Sequence, residues 1–238
     1  MLFFCLIFTI AITMLGNVTT AMIFRIPRDL CMSGSQRKPT CGGCEINIPF
    51  PDYLPLYRYL FVSKTCRCGK YKIPPIYTIV ELSNMMIGML IFILWHSNID
   101  FMITKAIISS FTIMNIAIYI QNKKTYPNAL WILLSSGIFS LLYNNHNFDP
   151  INHCIGVYIS TAALLLLSRK LKIAQLDFRF SLILLSIVNA KMIILLLPIF
   201  LLSFIFSYKY NKGSHFASCI NGVWFLITTV ILSKYVNV

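Results

Sequence analysis

Long apolar runs alternate along this chain with short polar connections, and one polar segment is far longer than the rest. Residues 1–24 (MLFFCLIFTIAITMLGNVTTAMIF) form the first run, and residues 25–76 follow as a loop rich in Pro, Gly and Cys. Further runs cover about 77–96, 101–120, 128–144, 151–168 and 215–233. A run of about twenty apolar residues is the length at which an α-helix crosses a hydrocarbon core about 30 Å thick. Residues 180–208 exceed one crossing, and Asn189, Ala190 and Lys191 interrupt them. They predict a shorter helix to 189 and a span at 192–208. The pattern predicts an all-α polytopic membrane protein of about eight transmembrane helices, with a cysteine-bearing cytoplasmic loop after the first. Three segments follow: a first transmembrane helix at 1–24, the loop at 25–76, and a membrane-embedded helical domain at 77–238.

Composition sharpens this reading. Hydrophobic residues make up 58% of the 238 and charged residues 11%, with a mean hydropathy of +0.76. A soluble domain carries about a quarter charged residues, so this chain has too few to cover a water-facing surface. Residues 1–24 lack the positive stretch that opens a secretory signal, and Arg25 and Arg28 follow directly. That arrangement predicts a retained helix with its N-terminus outside. The inside segments are then 25–76, 121–127, 169–179 and 209–214, which hold nine, two, four and two of the twenty Lys and Arg. Only Lys105, Lys191 and Lys234 fall elsewhere. The net charge of +13 therefore reads as topology-setting cations beside a lipid bilayer, and not as a nucleic-acid-binding surface.

Cys31, Cys41, Cys44, Cys66 and Cys68 lie in the long loop; Cys5, Cys154 and Cys219 lie in or beside apolar runs. Cys41-Gly-Gly-Cys44 is a knuckle that lets two thiolates meet one tetrahedral Zn(II), and Cys66-Arg-Cys68 would complete the set. Neighbouring Lys64, Arg67, Lys70 and Lys72 favour thiolates electrostatically. The second pair is one residue short of the usual chelating spacing. Two readings stand: a structural zinc staple, or four reduced, unliganded thiols.

With these motifs in order, the N-terminal third resembles the type IV prepilin peptidases, bifunctional leader peptidases and N-methyltransferases. The resemblance runs through Gly16-Asn17-Val18, Phe24-Arg25-Ile26-Pro27-Arg28, Cys41-x-x-Cys44, Asp52-Tyr53-Leu54-Pro55-Leu56 and Tyr59-Leu60. It continues through Lys64-Thr65-Cys66-Arg67-Cys68-Gly69, Lys72-Ile73-Pro74, Tyr77 and Val80-Glu81-Leu82. It implies an eight-helix protein of the bacterial inner membrane, with type IV prepilins or the pseudopilins of type II secretion as partners. It also implies methylation of the new N-terminus from S-adenosylmethionine, and aspartic-type cleavage by two aspartates at cytoplasmic helix ends. Such a pair divides the work: one carboxylate activates water while its protonated neighbour polarises the scissile carbonyl.

The resemblance points to Asp177, in Ile173-Ala174-Gln175-Leu176-Asp177-Phe178-Arg179, as one of the two, although the family's glycines there are replaced. The bland alternative for Asp177 is an interfacial charge paired with Arg179 or Lys172. The family's other aspartate precedes a Pro-Asp or Pro-Asn by some eight residues. Here Pro127-Asn128 is present, but Ile120 and Gln121 occupy the aspartate's place, and no Asp or Glu occurs from 101 to 148. Asp100 lies a full span away, on the opposite face. Glu81, near the cytoplasmic end of the second span, fits a supporting structural or methylation-related role. A divergent peptidase and a catalytically inactive relative that binds precursors or membrane partners therefore both stand. A small transporter would show charges clustered at mid-membrane, which are missing. His146, Asp149, His153 and Cys154 lie in and beside a short polar loop (NNHNFDPINHC), where a metal site is the less economical reading. Lys105 reads as a snorkelling side chain.

Overall fold

The computed structural model describes residues 2–30, 65, 69, 72, 74–124, 126–143, 150–171, 175–188, 190–209 and 214–231. Among these residues eight α-helices form: α1 Leu2–Arg25, α2 Pro75–Trp95, α3 Ile99–Asn122, α4 Pro127–Tyr143, α5 Pro150–Leu171, α6 Gln175–Ser186, α7 Ala190–Lys209 and α8 Ser214–Val230. Phe3–Arg28, Pro75–Trp95 and Ile99–Asn122 are long and apolar enough to cross a bilayer. The chain is an all-α membrane protein. Its first two helices carry their apolar residues outward: Phe3, Leu6, Ile10, Met14, Ile79, Leu82 and Met86 are exposed, as a lipid-facing surface requires.

Local chemistry fixes the helix ends. Pro75, Pro127 and Pro150 each occupy a first helical position, where a missing N–H costs nothing and φ is already set. Asn98 caps α3 by accepting from the Phe101 backbone N–H at 3.2 Å. At the other end Lys123 takes the left-handed conformation, and its N–H closes on the Tyr119 carbonyl at 2.8 Å. Arg28 donates to the Phe24 carbonyl at 2.8 Å and stacks over the Phe24 ring, securing the cationic end of α1.

The expected break in the 180–208 run is present, between α6 ending at Ser186 and α7 starting at Ala190. One boundary differs from expectation. Helix α6 begins at Gln175, five residues before the apolar run, because backbone hydrogen bonding continues into polar sequence where hydropathy alone sees none. Asp177 therefore lies within the first helical turn and not ahead of it.

The chain divides into two compact units, Met1–Met89 and Leu90–Val238, with α2 running through the boundary. In the first unit α1 and α2 meet through small residues. A Cβ at Gly16 would stand 3.4 Å from Asn84 Cβ and 3.5 Å from Glu81 Cα; one at Gly88 would stand 2.7 Å from Ile12 Cγ2. Position 16 opposes 84 while 12 opposes 88, so the helices run antiparallel. Close backbone approach supplies the van der Waals packing that lipid cannot replace.

In the second unit α6 is the hub, packed against α4, α5, α7 and α8, while α3 packs on α4 and α8. Fully buried Phe180, Leu184, Leu185, Leu196, Phe200 and Phe225 form its centre. A polar bridge ties three helices inside this apolar core. Asn221 of α8 donates to Ser181 of α6 at 3.0 Å, and its carbonyl oxygen accepts from Ser203 of α7 at 2.5 Å. All three side chains are buried. Such bonds in membrane interiors contribute about 1 kcal/mol each. Asn221→Ala is expected to destabilise the bundle by about 1–2 kcal/mol. Reversible unfolding in mixed micelles checks this, and Ser203→Ala should add little once Asn221 is gone.

Candidate functional site

Two helix ends come together in the second unit. The ring of Tyr119, two residues before Gln121, lies 5.2 Å from the ring of Phe180, three residues after Asp177, at an interplanar angle of 60°. Both aromatic side chains are almost wholly buried, at 1% and 0% exposure. The pairing sets the C-terminal end of α3 and the N-terminal end of α6 at one end of the bundle. Tilted aromatic packing contributes about 0.5–1.5 kcal/mol beyond area burial, so the register of the two ends is defined and not incidental.

Asp177 is the third residue of α6; its side chain lies outside the described residues. A carboxylate in the first helical turn is favoured by unpaired backbone N–H groups and the positive end of the helix dipole. At the facing end, Ile120 and Gln121 are exposed, as is Asn128 in the first turn of α4. Asn115, deeper in α3, donates to the Ala129 carbonyl at 3.3 Å and ties the start of α4 to the same end. Asp100 is the second residue of α3 and Gln121 the last but one, so continuous helix holds them about 30 Å apart. Asp100 cannot reach Asp177's end of the bundle.

Glu81 belongs to the first unit, buried at 1% exposure on the face of α2 that meets Gly16. Of the loop cysteines, Cys41, Cys44, Cys66 and Cys68 lie outside the described residues. Thr65 and Lys72 form an antiparallel bridge, and Gly69 between them takes φ +70°. The bridge sets residues 65 and 72 side by side, with glycine at 69 where a side chain would be strained. His146 and Asp149 also lie outside the described residues; His153 is buried in α5 and hydrogen-bonded to the Ser186 backbone, while Cys154 is exposed. Among the described residues no group of three or more His, Cys, Asp or Glu is placed to hold a metal. Sequence reading passed over Tyr119, Phe180 and Asn115. Their only signal was an aromatic or amide within an apolar run, which core packing explains equally well.

Comparison with known proteins bears on the lineage. Residues 10–95 match the Bacterial Peptidase A24 N-terminal domain. Over this part the chain is similar to the type IV prepilin peptidases. Among curated proteins it resembles the Prepilin leader peptidase/N-methyltransferase of Vibrio cholerae serotype O1, at 27% identity over 146 residues. That alignment covers 59% of this chain and 55% of the relative, so the chain spans about half the length of the protein it matches. No solved structure matches. The matched domain covers α1 from residue 10, the bridge at Thr65 and Lys72, and α2, so the family likeness and the α1–α2 seam coincide.

The paired helix ends make a direct prediction. Cysteines introduced singly at positions 121 and 177 of a chain otherwise free of cysteine should react with a membrane-impermeant maleimide from the same compartment. Opposite sidedness would break the Tyr119–Phe180 pairing.

Proposed function

We propose that this chain is a divergent prepilin-peptidase-type protein of the bacterial inner membrane, acting on the leaders of type IV prepilin-like or pseudopilin-like precursors at the cytoplasmic face. The observation that carries the proposal is the domain match over residues 10–95, together with an aspartate, Asp177, at a helix end packed against the end of α3. Asp177 is the proposed catalytic acid. In the two-carboxylate scheme its partner belongs near Gln121, and no Asp or Glu occurs from 101 to 148. General acid–base catalysis by a positioned group contributes about 10²–10⁴-fold, so hydrolysis through Asp177 alone is slow by that factor.

The missing acid favours a second reading, a non-enzymatic relative that holds precursors without cutting them. Co-expression with a cognate precursor separates the two by the size of the mature product. Under the first reading the unmodified chain gives trace cleavage, Asp177→Asn gives none, and Gln121→Asp raises the rate by about 10²-fold or more. Cleavage at full rate by the unmodified chain retires the inactive reading. Absence of cleavage in the unmodified, Gln121→Asp and Ile120→Asp forms retires the peptidase reading.

Two cofactors belong to the proposal. A zinc ion held by Cys41, Cys44, Cys66 and Cys68 would staple the loop, a role supported by the bridge between Thr65 and Lys72. Purified protein should then contain about one zinc per chain, and Cys41→Ser should lower that content and increase proteolysis of the loop. S-adenosylmethionine is the proposed methyl donor, by likeness to the relative's N-methyltransferase name.

A further inference from the structure

After its first turn α3 carries a single charged side chain, Lys105, among apolar and small polar residues. Phe101, Lys105 and Ser109 follow at four-residue steps, so they share one face with successive Cβ atoms about 5–6 Å apart. At the head of this face the Trp95 ring stacks on Phe101, with centroids 5.4 Å apart and planes 14° apart. Trp95 Nε1 also donates to the Val230 carbonyl at 3.3 Å, which sets the end of α8 beside the start of α3. Further along, a Cβ at Gly222 would stand 2.8 Å from Ile116 Cγ1, so the two helices run antiparallel. Stepping back along α3 from Ile116 to Ser109 and Lys105 thus matches stepping forward along α8 to Thr229 and past its end at Val230. Lys105 stands where α8 stops covering α3, and its side chain is only partly buried.

This corner holds donors without acceptors. Lys105 brings an ammonium with three N–H donors, and among the described residues it has neither an ion pair nor a hydrogen bond. The Val230 carbonyl at the end of α8 is already engaged by Trp95. Ser109 is 2% exposed, and its Oγ has no hydrogen-bond partner. Thr104 and Thr112 of the same helix return their protons to carbonyls one turn back, at 2.9 and 2.8 Å; Ser109 does not. Cβ atoms tilt toward a helix's N-terminus, so the Ser109 hydroxyl leans toward the level of Lys105. A cation within a membrane protein is costly unless a partner meets it, and an ammonium beside a hydroxyl is complementary to an anionic oxygen. Tryptophan at the end of a span marks the depth of lipid headgroups. Lys105 lies about 9 Å along α3 from its first residue, within reach of that layer for a long side chain. The anionic oxygens abundant there are those of phosphates. We propose that Lys105 and Ser109 receive the phosphate of an anionic phospholipid at the Trp95 end of the bundle, the ammonium as counter-ion and the hydroxyl as second donor. The site stands independently of the leader-handling reading.

The test uses the full-length protein in a neutral detergent and reads lipid retention by native mass spectrometry, with thermal unfolding of the same samples alongside. The probes are dioleoylphosphatidylglycerol, dioleoylphosphatidylcholine and inorganic phosphate. Phosphatidylglycerol should be retained about fivefold more tightly than phosphatidylcholine and should raise the unfolding midpoint. Lys105→Met should abolish that preference, Lys105→Arg should keep it, and Ser109→Ala should weaken it several-fold. Lys209→Met, which removes an exposed cation at another helix end, should leave it unchanged. In phosphatidylcholine alone, Lys105→Met should unfold no earlier than the unmodified chain, because it removes a cation that no described residue neutralises. Earlier unfolding there would mark Lys105 as an internal structural contact and overturn the site. Equal retention of the two lipids, or a preference that survives Lys105→Met, would overturn it as well. Excess inorganic phosphate should fail to displace the lipid; displacement would overturn the lipid as occupant in favour of the soluble anion.

Discussion

The C-terminal unit depends on the enclosure of α6. This helix has only 12 residues, yet four other helices pack against it, and its Phe180 side chain is wholly covered. In lipid the hydrophobic effect does not drive helices together, so close packing and internal hydrogen bonds must do it. Both converge on α6. Tyr119 of α3 packs on Phe180, Ser181 takes the Asn221 bond from α8, and the Ser186 backbone meets His153 of α5. Asp177 stands in the first turn of this enclosed helix.

The N-terminal unit is built on a different constraint. There the two helices approach until a Cβ at 88 would collide with Ile12 and one at 16 would just touch its neighbours, and the polar side chains nearby are sealed in with them. Small residues and buried amides impose opposite demands: one asks for close contact, the other for satisfied hydrogen bonds. The seam meets the first demand fully and the second in part.

Much of this was legible in the sequence, because lipid imposes one rule on every span. Apolar runs near twenty residues gave α2 to α5 and α8 within a few residues, and Asn189-Ala190-Lys191 marked the break between α6 and α7. The start of α6 was not legible, since its first turn is polar and only backbone bonding shows it. The opposite placement of Asp100 and Gln121 followed from helix length alone. By contrast, the pairing of Tyr119 with Phe180 joins residues 61 positions apart, and no local pattern specifies such a partner. Motif order could be read from the one-dimensional string, as residues 10–95 attest, whereas the buried oxygens of Asn17, Thr78 and Asn84 are properties of the folded seam.

The shortness of α6 has a further consequence for the surrounding membrane. Twelve residues rise about 18 Å, little more than half of a hydrocarbon core about 30 Å thick. A helix of that length cannot reach both interfaces of an undeformed bilayer. For a helix that starts at one interface, the interruption at 187–188 falls at a depth where bare peptide groups find no water, and irregular backbone persists there only under a protein sheath. Its four neighbours supply that sheath, which makes the bundle around α6 an insulator as much as a scaffold.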